Sequence, residues 1–512
     1  MPFEEQFDAI SHGTIDIVTA STVYTMERDI LEPFSSHGYT FSDPYFYAGT
    51  VFAGIPEYVT CAENGDSLVG VCRNLQVCIV EGSNSESVTH DHLKGTTVHH
   101  VPDSEDMFIN LTNGTCNVVT GLPKVIYELR ARNAGFIGEY VMGSHLFSRD
   151  PVSLVTRNDD AEFGDFVNWV LRALVAAEAM NITQSTAESF PTTSLFGEQY
   201  EHMFQNAIAA VGNYGEIYNL FLEDQVPRGV GGINSPHSGD DSGGLLYPTP
   251  FGALAAGEGD YDHEEHDHIF SSLGPIPGGT LETVSTSHVL RCGIIVDGKR
   301  NGLAGSSSSN RNMTEGEWDG IDVDYCRGLA AAVFAGDVTS DSLLLIAYKS
   351  PEEAFVALND NQIDVLSGAT YNLENDVSEP STGVGFQFGL VYYYDEPRED
   401  GLNSTSTAIY PLSMATREDD VQWSEFVNLI IVSTIQAEAN DIQQLAAIDM
   451  PTLDLFGPSF QQAIRDVILY VGNYAEIYER NMEQYIPRVN NTRNTLNNGE
   501  TPMFFTFWDF GV

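Results

Sequence analysis

Positive charge is what this sequence has least of. Its 512 residues carry 22 Lys and Arg against 73 Asp and Glu, a formal net charge of −51. Nucleic acid and anionic membrane surfaces attract basic proteins, so this balance argues against both as partners. No run of about 18 apolar residues occurs, so no membrane span or direct membrane insertion is expected. The N-terminal Met1-Pro-Phe-Glu-Glu-Gln6 lacks the basic region and apolar core of a signal peptide. Gly-x-Ser-x-Gly, a phosphate loop and His-Glu-x-x-His are missing, as is Cys-x-x-Cys. No enzyme, cofactor or metal centre is therefore expected.

What the chain does have is an internal repeat. Val211-Gly-Asn-Tyr-Gly-Glu-Ile-Tyr218 returns as Val471-Gly-Asn-Tyr-Ala-Glu-Ile-Tyr478, an offset of 260 residues. Arg157-Asn-Asp-Asp160 with Arg417-Glu-Asp-Asp420, Phe166-Val-Asn168 with Phe426-Val-Asn428, and Pro227-Arg228 with Pro487-Arg488 keep that offset. Upstream, Glu4–Phe7 and Gly13–Val18 resemble Glu352–Phe355 and Asn361–Leu366 at an offset of 348. Copy one thus holds 88 more residues between its matching blocks, roughly between Tyr47 and Gly135. Copy two has only a polar loop there, from Asp395 to Thr407, but carries about sixty residues from Val289 onward that copy one lacks. The expected domains are residues 1–252, a Gly- and His-rich acidic linker at 253–278, and residues 279–512.

Taken in order, residues 4–12 read as the end of an amphipathic helix and Ile15–Val18 as a strand. Thr22–Asp29 is turn-like, at a strand's C-terminal end where α/β sheets bind ligands. Gln76–Val80 and Cys116–Val119 read as strands, and Pro123–Arg132 as a helix. Glu81-Gly-Ser-Asn-Ser-Glu86 follows the first of these strands. There, backbone N–H groups and a helix N-terminus would form an anion cradle. Phe163–Ala177 and His202–Leu222 read as helices, the second with Met203, Ala207, Val211, Tyr214, Ile217 and Tyr218 on its packed side. Copy two reads as strands at Val289–Val296, Ile363–Leu366 and Gln387–Tyr394, with helices at Asp324–Phe334, 423–437 and 459–481. The fold class is two-lobed α/β with incomplete tandem copies.

The letters carry a resemblance. Gly279-Thr-Leu-Glu-Thr-Val284, Arg291-Cys-Gly293, Gly320 through Phe334, Val211–Tyr218 and Gly243-Gly-Leu-Leu-Tyr-Pro-Thr-Pro250 resemble the general L-amino-acid-binding proteins of bacterial ABC transporters. These are family-three solute-binding proteins of the type II periplasmic fold. The resemblance implies two lobes on hinge strands closing around an amino acid, with an ABC permease or other membrane partner. It implies that copy one holds lobe two, about residues 47–135, and part of lobe one. Copy two then holds lobe one with lobe two reduced to a loop. It places the carboxylate partner at Arg28, which suits a bidentate contact. Ser21 and Thr25 flank it, and Thr22 lies close by. Ser83, Asn84 and Ser85 form the lobe-two cradle. Copy two keeps Thr370 but has Asn375 where Arg28 stands. The ammonium partner should be acidic, yet Leu122 occupies that position.

Six cysteines and six Asn-X-Ser/Thr sequons, at Asn110, Asn113, Asn181, Asn312, Asn403 and Asn490, suit an oxidising, secreted or periplasm-like compartment. The missing signal peptide is then expected to lie upstream of an incomplete N-terminus. By position, Cys292 pairs with Cys326, Cys78 with Cys116 and Cys61 with Cys72. Asp260–His268 packs three histidines among acids and reads as solvated linker, with weak metal binding as the other possibility. Two functions are expected: capture of a small polar solute, most simply an amino acid, or a degenerate module serving as an extracellular structural or protein-interaction domain.

Overall fold

The computed structural model describes residues 3–30, 38–65, 69–224, 226–228, 232–237, 243–246, 274–296, 302–306, 318–377, 385–395, 409–488, 493–497, 508 and 510. The first half begins with helix α1 (Phe3–Ser11), strand β1 (Val18–Val23), helix α2 (Met26–Ile30) and strands β2 (Tyr39–Phe41) and β3 (Phe46–Ala48). A βαβ segment follows: β4 (Val51–Gly54), α3 (Pro56–Glu63), β5 (Gln76–Val80), α4 (Asn84–His92), β6 (Thr97–Val101), α5 (Ser104–Asn113), β7 (Val118–Gly121), α6 (Glu128–Asn133) and β8 (Val141–Met142). Strand β9 (Asp150–Arg157) and helices α7 (Ala161–Ala179), α8 (Met203–Val211) and α9 (Tyr214–Phe221) complete this half.

The second half runs α10 (Thr280–Ser287), β10 (Leu290–Ile295), β11 (Gly305–Ser306), β12 (Trp318–Asp319), α11 (Ile321–Val333), β13 (Leu343–Tyr348), α12 (Pro351–Asn359), β14 (Val365–Thr370) and α13 (Leu373–Val377). It continues with β15 (Phe386–Phe388), β16 (Tyr393–Asp395), β17 (Tyr410–Arg417), α14 (Val421–Ala439), α15 (Ala463–Val471) and α16 (Tyr474–Asn481).

Two sheets share one plan. The order β6-β5-β7-β4-β8 has β5 parallel to both neighbours and β4 antiparallel to β7. The order β13-β10-β14-β17-β15 has β10 parallel to both neighbours and β17 antiparallel to β14. Helices cover these parallel strands, which is why Val77, Cys78 and Ile79 form an unbroken buried run. This is the α/β class expected from the sequence. A third sheet, β1-β9-β2 with β3 also on β9, repeats the β14-β17-β15 arrangement. Among the described residues it has no counterpart of β10 and β13.

Strand register locates a change of offset between the halves. Val18 faces Val155 and Leu366 faces Ala415, an offset of 348. Thr22 faces Ser153 and Ala369 faces Ser413, an offset of 347. The irregularity in β1 therefore contains one residue more than that in β14, just before the loop that holds Arg28.

Several boundaries differ from the sequence reading. The strand expected at Ile15–Val18 begins only at Val18. The one expected at Cys116–Val119 runs Val118–Gly121, and the helix expected from Pro123 starts at Glu128, after a turn closed by Val125 N–H on Leu122 O. Gln387–Tyr394 is two short strands, because two extra residues bulge from β17 between the Phe388/Ala415 and Tyr393/Leu412 pairs. Asn428 Oδ1 accepts the N–H of Leu390 in that bulge at 2.8 Å, and Asn168 Oδ1 does the same for Asp43 at 2.8 Å. The repeated Phe-Val-Asn thus satisfies a bulge in each half.

His202–Leu222 is not one helix. Gly212 sits at φ +87°, in the left-handed region, and ends α8, leaving Val211 exposed. Asn213 then caps α9: its Oδ1 accepts from Glu216 N–H and Glu216 Oε2 accepts from Asn213 N–H, both at 2.9 Å. The same carboxylate accepts Gln184 N–H at 2.9 Å. Gly472, Asn473, Glu476 and Gln444 reproduce the glycine break, the cap and both carboxylate bonds, although Val471, the counterpart of Val211, is buried. The repeated octapeptide is a junction that locks two helices to a preceding turn, which is a packing role.

All three expected disulfides form. Cα separations are 5.5 Å for Cys61–Cys72, 5.7 Å for Cys78–Cys116 and 6.0 Å for Cys292–Cys326. Most of the linker, including Asp260–His268, lies outside the described residues, as does the loop after Asp395 up to residue 408.

The halves meet in a crossed arrangement of helices. Helix α2 packs on α14 of the second half, and α13 packs on α7 of the first. Leu246 bridges to Leu496, with Leu245 N–H on Arg493 O at 2.9 Å. Trp508 and Phe510 pack on Trp169, and Phe510 also meets Phe190 and Phe204.

Candidate functional site

The loop after β1 is ordered by its own side chains. Thr25, buried, accepts Arg28 N–H on Oγ1 at 3.2 Å and starts α2. Arg28 turns back, and its Nη1 donates to Val23 O at 2.9 Å. In the second half Asn375 Nδ2 donates to Thr370 O, also five residues back, at 2.8 Å. Part of what Arg28 does is therefore structural, and an amide does it as well. Burial lowers the pKa of Arg28, opposed by the nearby charges of Glu27 and Asp150. Thr22 Oγ1, on β1, is buried without a hydrogen-bond partner. The side chains of Ser21 and Asn84 lie outside the described residues.

The β4–β8 segment contributes the N-terminus of α4. Ser83 occupies the N-cap position, and its Oγ is buried without a hydrogen-bond partner. Ser85 is committed: Thr50 Oγ1 donates to its Oγ at 3.0 Å. Ser148 Oγ lies 3.0 Å from Thr50 Oγ1 and 2.9 Å from Asp150 Oδ2. A polar relay thus runs from α4 across both segments that connect the β4–β8 sheet to the rest of this half, to a buried carboxylate that influences Arg28. Asp150 belongs to no motif, and Tyr410 stands in its place in the second half. Only the folded crossing of the two segments exposes its role.

Leu122 is buried beside Tyr47, Val152 and Tyr214, so the expected acidic position belongs to an apolar cluster. Two residues on, Lys124 Nζ lies 5.1 Å from the centre of the Phe46 ring, and burial lowers its pKa to about 8.

A concavity of about 250 Å³ lies between the halves. Tyr24, Asp43, Asn168, Arg172, Tyr371 and Trp508 are among its lining residues. Arg172 is buried, bonds Asp43 through Nε at 2.7 Å and Nη2 at 3.2 Å, and places Nη1 4.0 Å from Asp376 Oδ2. Its guanidinium lies 3.9 Å from the ring centre of Trp508 and 4.4 Å from that of Tyr371. Burial raises Asp376 to about 7 against the opposing influence of Arg172 and a Trp169 hydrogen bond. Asp29 is likewise raised to about 7 by burial, against a hydrogen bond from Tyr24. Nothing in the sequence marks these residues, because the partners are far apart along the chain.

No family model matches the chain. It is 24% identical over 267 residues to the "Putative amino-acid ABC transporter-binding protein YhdW" of Escherichia coli (strain K12), covering 48% of this chain and 74% of the relative. The "General L-amino acid-binding periplasmic protein AapJ" of Rhizobium johnstonii is 24% identical over 274 residues, with 48% and 74% covered. The "Glutamate/glutamine/aspartate/asparagine-binding protein BztA" of Rhodobacter capsulatus is 25% identical over 271 residues, with 48% and 75% covered. Among solved structures, a Brucella ovis "ABC transporter / periplasmic binding protein" with glutathione bound aligns at 22% identity and TM-score 0.39, over 49% of this chain and 81% of that one. About half of the chain is thus related in sequence to amino-acid-binding solute receptors of the periplasm.

Proposed function

We propose that residues 1–252 form a hinged, non-enzymatic receptor for a small polar solute of the amino-acid class, and that residues 279–512 are a second, shortened copy that supports it. The carrying observation is the pair of buried hydroxyls without partners, Thr22 Oγ1 in one lobe and Ser83 Oγ in the other. Buried polar atoms of that kind call for a ligand or water. Arg28 would meet a carboxylate, and Ser83 with the α4 N-terminus would meet a second acceptor. Leu122 cannot pair an ammonium, and Asp150 would balance a cationic group in its stead. The sequence relatives, named for amino-acid binding and transport, support this class and a transporter partner. The disulfides support an oxidising compartment.

Thermal unfolding of the full chain against the twenty amino acids at millimolar concentration tests this reading. A solute at about 100 times its Kd adds roughly 2.7 kcal/mol, a readable shift in Tm. Arg28→Asn, which copies Asn375 of the second half, keeps the loop contact and is expected to abolish the shift. A cooperatively folded chain that responds to none of the twenty supports the other reading, a degenerate module acting through protein contacts. The apolar surroundings of Leu122 favour that alternative.

A further inference from the structure

Outside the cleft, lobe two brings three metal-binding side chains together. Glu86 and His90 stand four apart on α4, on one face of the helix. His100 comes from β6, whose pairing with β5 brings it to the same spot. Glu86 Oε1 lies 3.2 Å from His100 Nδ1, and His90 Nε2 lies 3.3 Å from His100 Nε2. All three groups offer a donor atom within 4.8 Å of one another.

The chemistry of the trio is directional. An ionised carboxylate only accepts hydrogen bonds, so His100 Nδ1 carries the proton on the Glu86 side. Its Nε2 is then a lone pair aimed at His90 Nε2. Two imidazole nitrogens that face each other need either a shared proton or a cation between them. Zinc binds imidazole nitrogen at about 2.0–2.1 Å, so two nitrogens on a tetrahedral ion stand about 3.4 Å apart. The observed 3.3 Å matches that edge. A carboxylate behind a ligating histidine also fixes its tautomer and orientation. Glu86 is itself held, because its Oε2 accepts Gly82 N–H at 2.8 Å.

We propose that His90 Nε2 and His100 Nε2 bind one divalent transition-metal ion, with zinc the natural occupant, and that Glu86 positions His100 for it. Solvent completes the coordination, since His100 is exposed. The site occupies the turn of α4 that follows Ser83–Ser85, and Gly82 ties the two together through Glu86.

The test must separate this trio from the histidines of the linker. The parent is therefore the full chain with His263→Ser, His266→Ser and His268→Ser. Zinc chloride is titrated calorimetrically, with bound zinc counted after dialysis. The expected result is one zinc per chain and a higher Tm in zinc. His100→Gln, at an exposed position that leaves the zinc-free Tm unchanged, is expected to weaken binding at least tenfold. Glu86→Gln is expected to weaken it about 10–100-fold, the usual cost of losing a carboxylate behind a metal-bound histidine. His90→Gln should match His100→Gln. Zinc uptake that disappears with the linker histidines, or that survives His100→Gln undiminished, overturns the proposal.

Discussion

The two ends of the contact between the halves occupy equivalent backbone and solve it differently. At one end α2 meets α14, and the polar groups form a chain of hydrogen bonds. Tyr24 Oη donates to Asp29 Oδ2 at 3.1 Å, and Asn428 Nδ2 reaches Tyr24 Oη at 3.2 Å. At the other end α13 meets α7, where the repeat offsets put Tyr371 for Tyr24, Asp376 for Asp29 and Asn168 for Asn428. There Arg172 replaces Val432 and Trp169 replaces Leu429. The cation bonds Asp43, stacks between aromatic rings, and Trp169 Nε1 bonds Asp376 at 2.7 Å. One frame thus accepts either a hydrogen-bonded chain or a buried charge, provided that the charge brings its own partners.

That contrast can be broken. Arg172→Val makes the second end resemble the first while leaving Asp43 and Asp376 behind. Removing one member of a buried ion pair costs about 3–5 kcal/mol, so urea unfolding should show a large loss of stability. Asn428→Ala at the first end removes acceptors and donors of ordinary hydrogen bonds and should cost about 1–3 kcal/mol. Equal losses from the two changes would mean that the ends are not energetically different.

The pH dependence of stability sharpens the same comparison. Asp29 and Asp376 both titrate near 7 when folded, above the ordinary value of 3.8. Between about pH 4 and pH 7 the folded chain therefore holds protons that the unfolded chain has released. Stability from these groups is complete below the unfolded value and is lost as pH rises through the folded one. Asp29→Asn and Asp376→Asn should each flatten that decline relative to the unsubstituted chain, measured as Tm across the window. A decline that neither variant changes would place its origin elsewhere in this acidic protein.

The smallest effect is expected where the halves agree. Asn213→Ala and Asn473→Ala each remove the same helix cap, with the same bonds to the neighbouring turn. Each should cost about 1 kcal/mol, and the two costs should match.

Much of this architecture is legible in the sequence for identifiable reasons. The repeat shows because the junction at Asn213 and Asn473 demands a glycine, a capping amide and a carboxylate at fixed spacing, so the letters persist. Buried parallel strands such as β5 show as apolar runs. The disulfides follow from position once the fold is in view. Strand starts slip near β1 and β7, where turn residues are themselves apolar. The break at Gly212 is hidden inside an apolar periodicity that continues across it. The candidate site is only half readable. Thr25 and Arg28 lie in one local loop, but Asp150 enters through a crossing of distant segments. Arg172 reads like any charge on an amphipathic helix, since its aromatic and acidic neighbours come from both halves of the chain.

Trp508 and Phe510, packed on Trp169 and Phe190, also bear on how the protein is made. A ribosome that has finished the first half has not yet synthesised part of that half's aromatic cluster. The first half therefore leaves the exit tunnel with an apolar surface that Trp508 and Phe510, synthesised more than three hundred residues after Trp169 and Phe190, come to cover. Chains interrupted by premature termination would carry that exposed surface, a ready mark for chaperones and proteases.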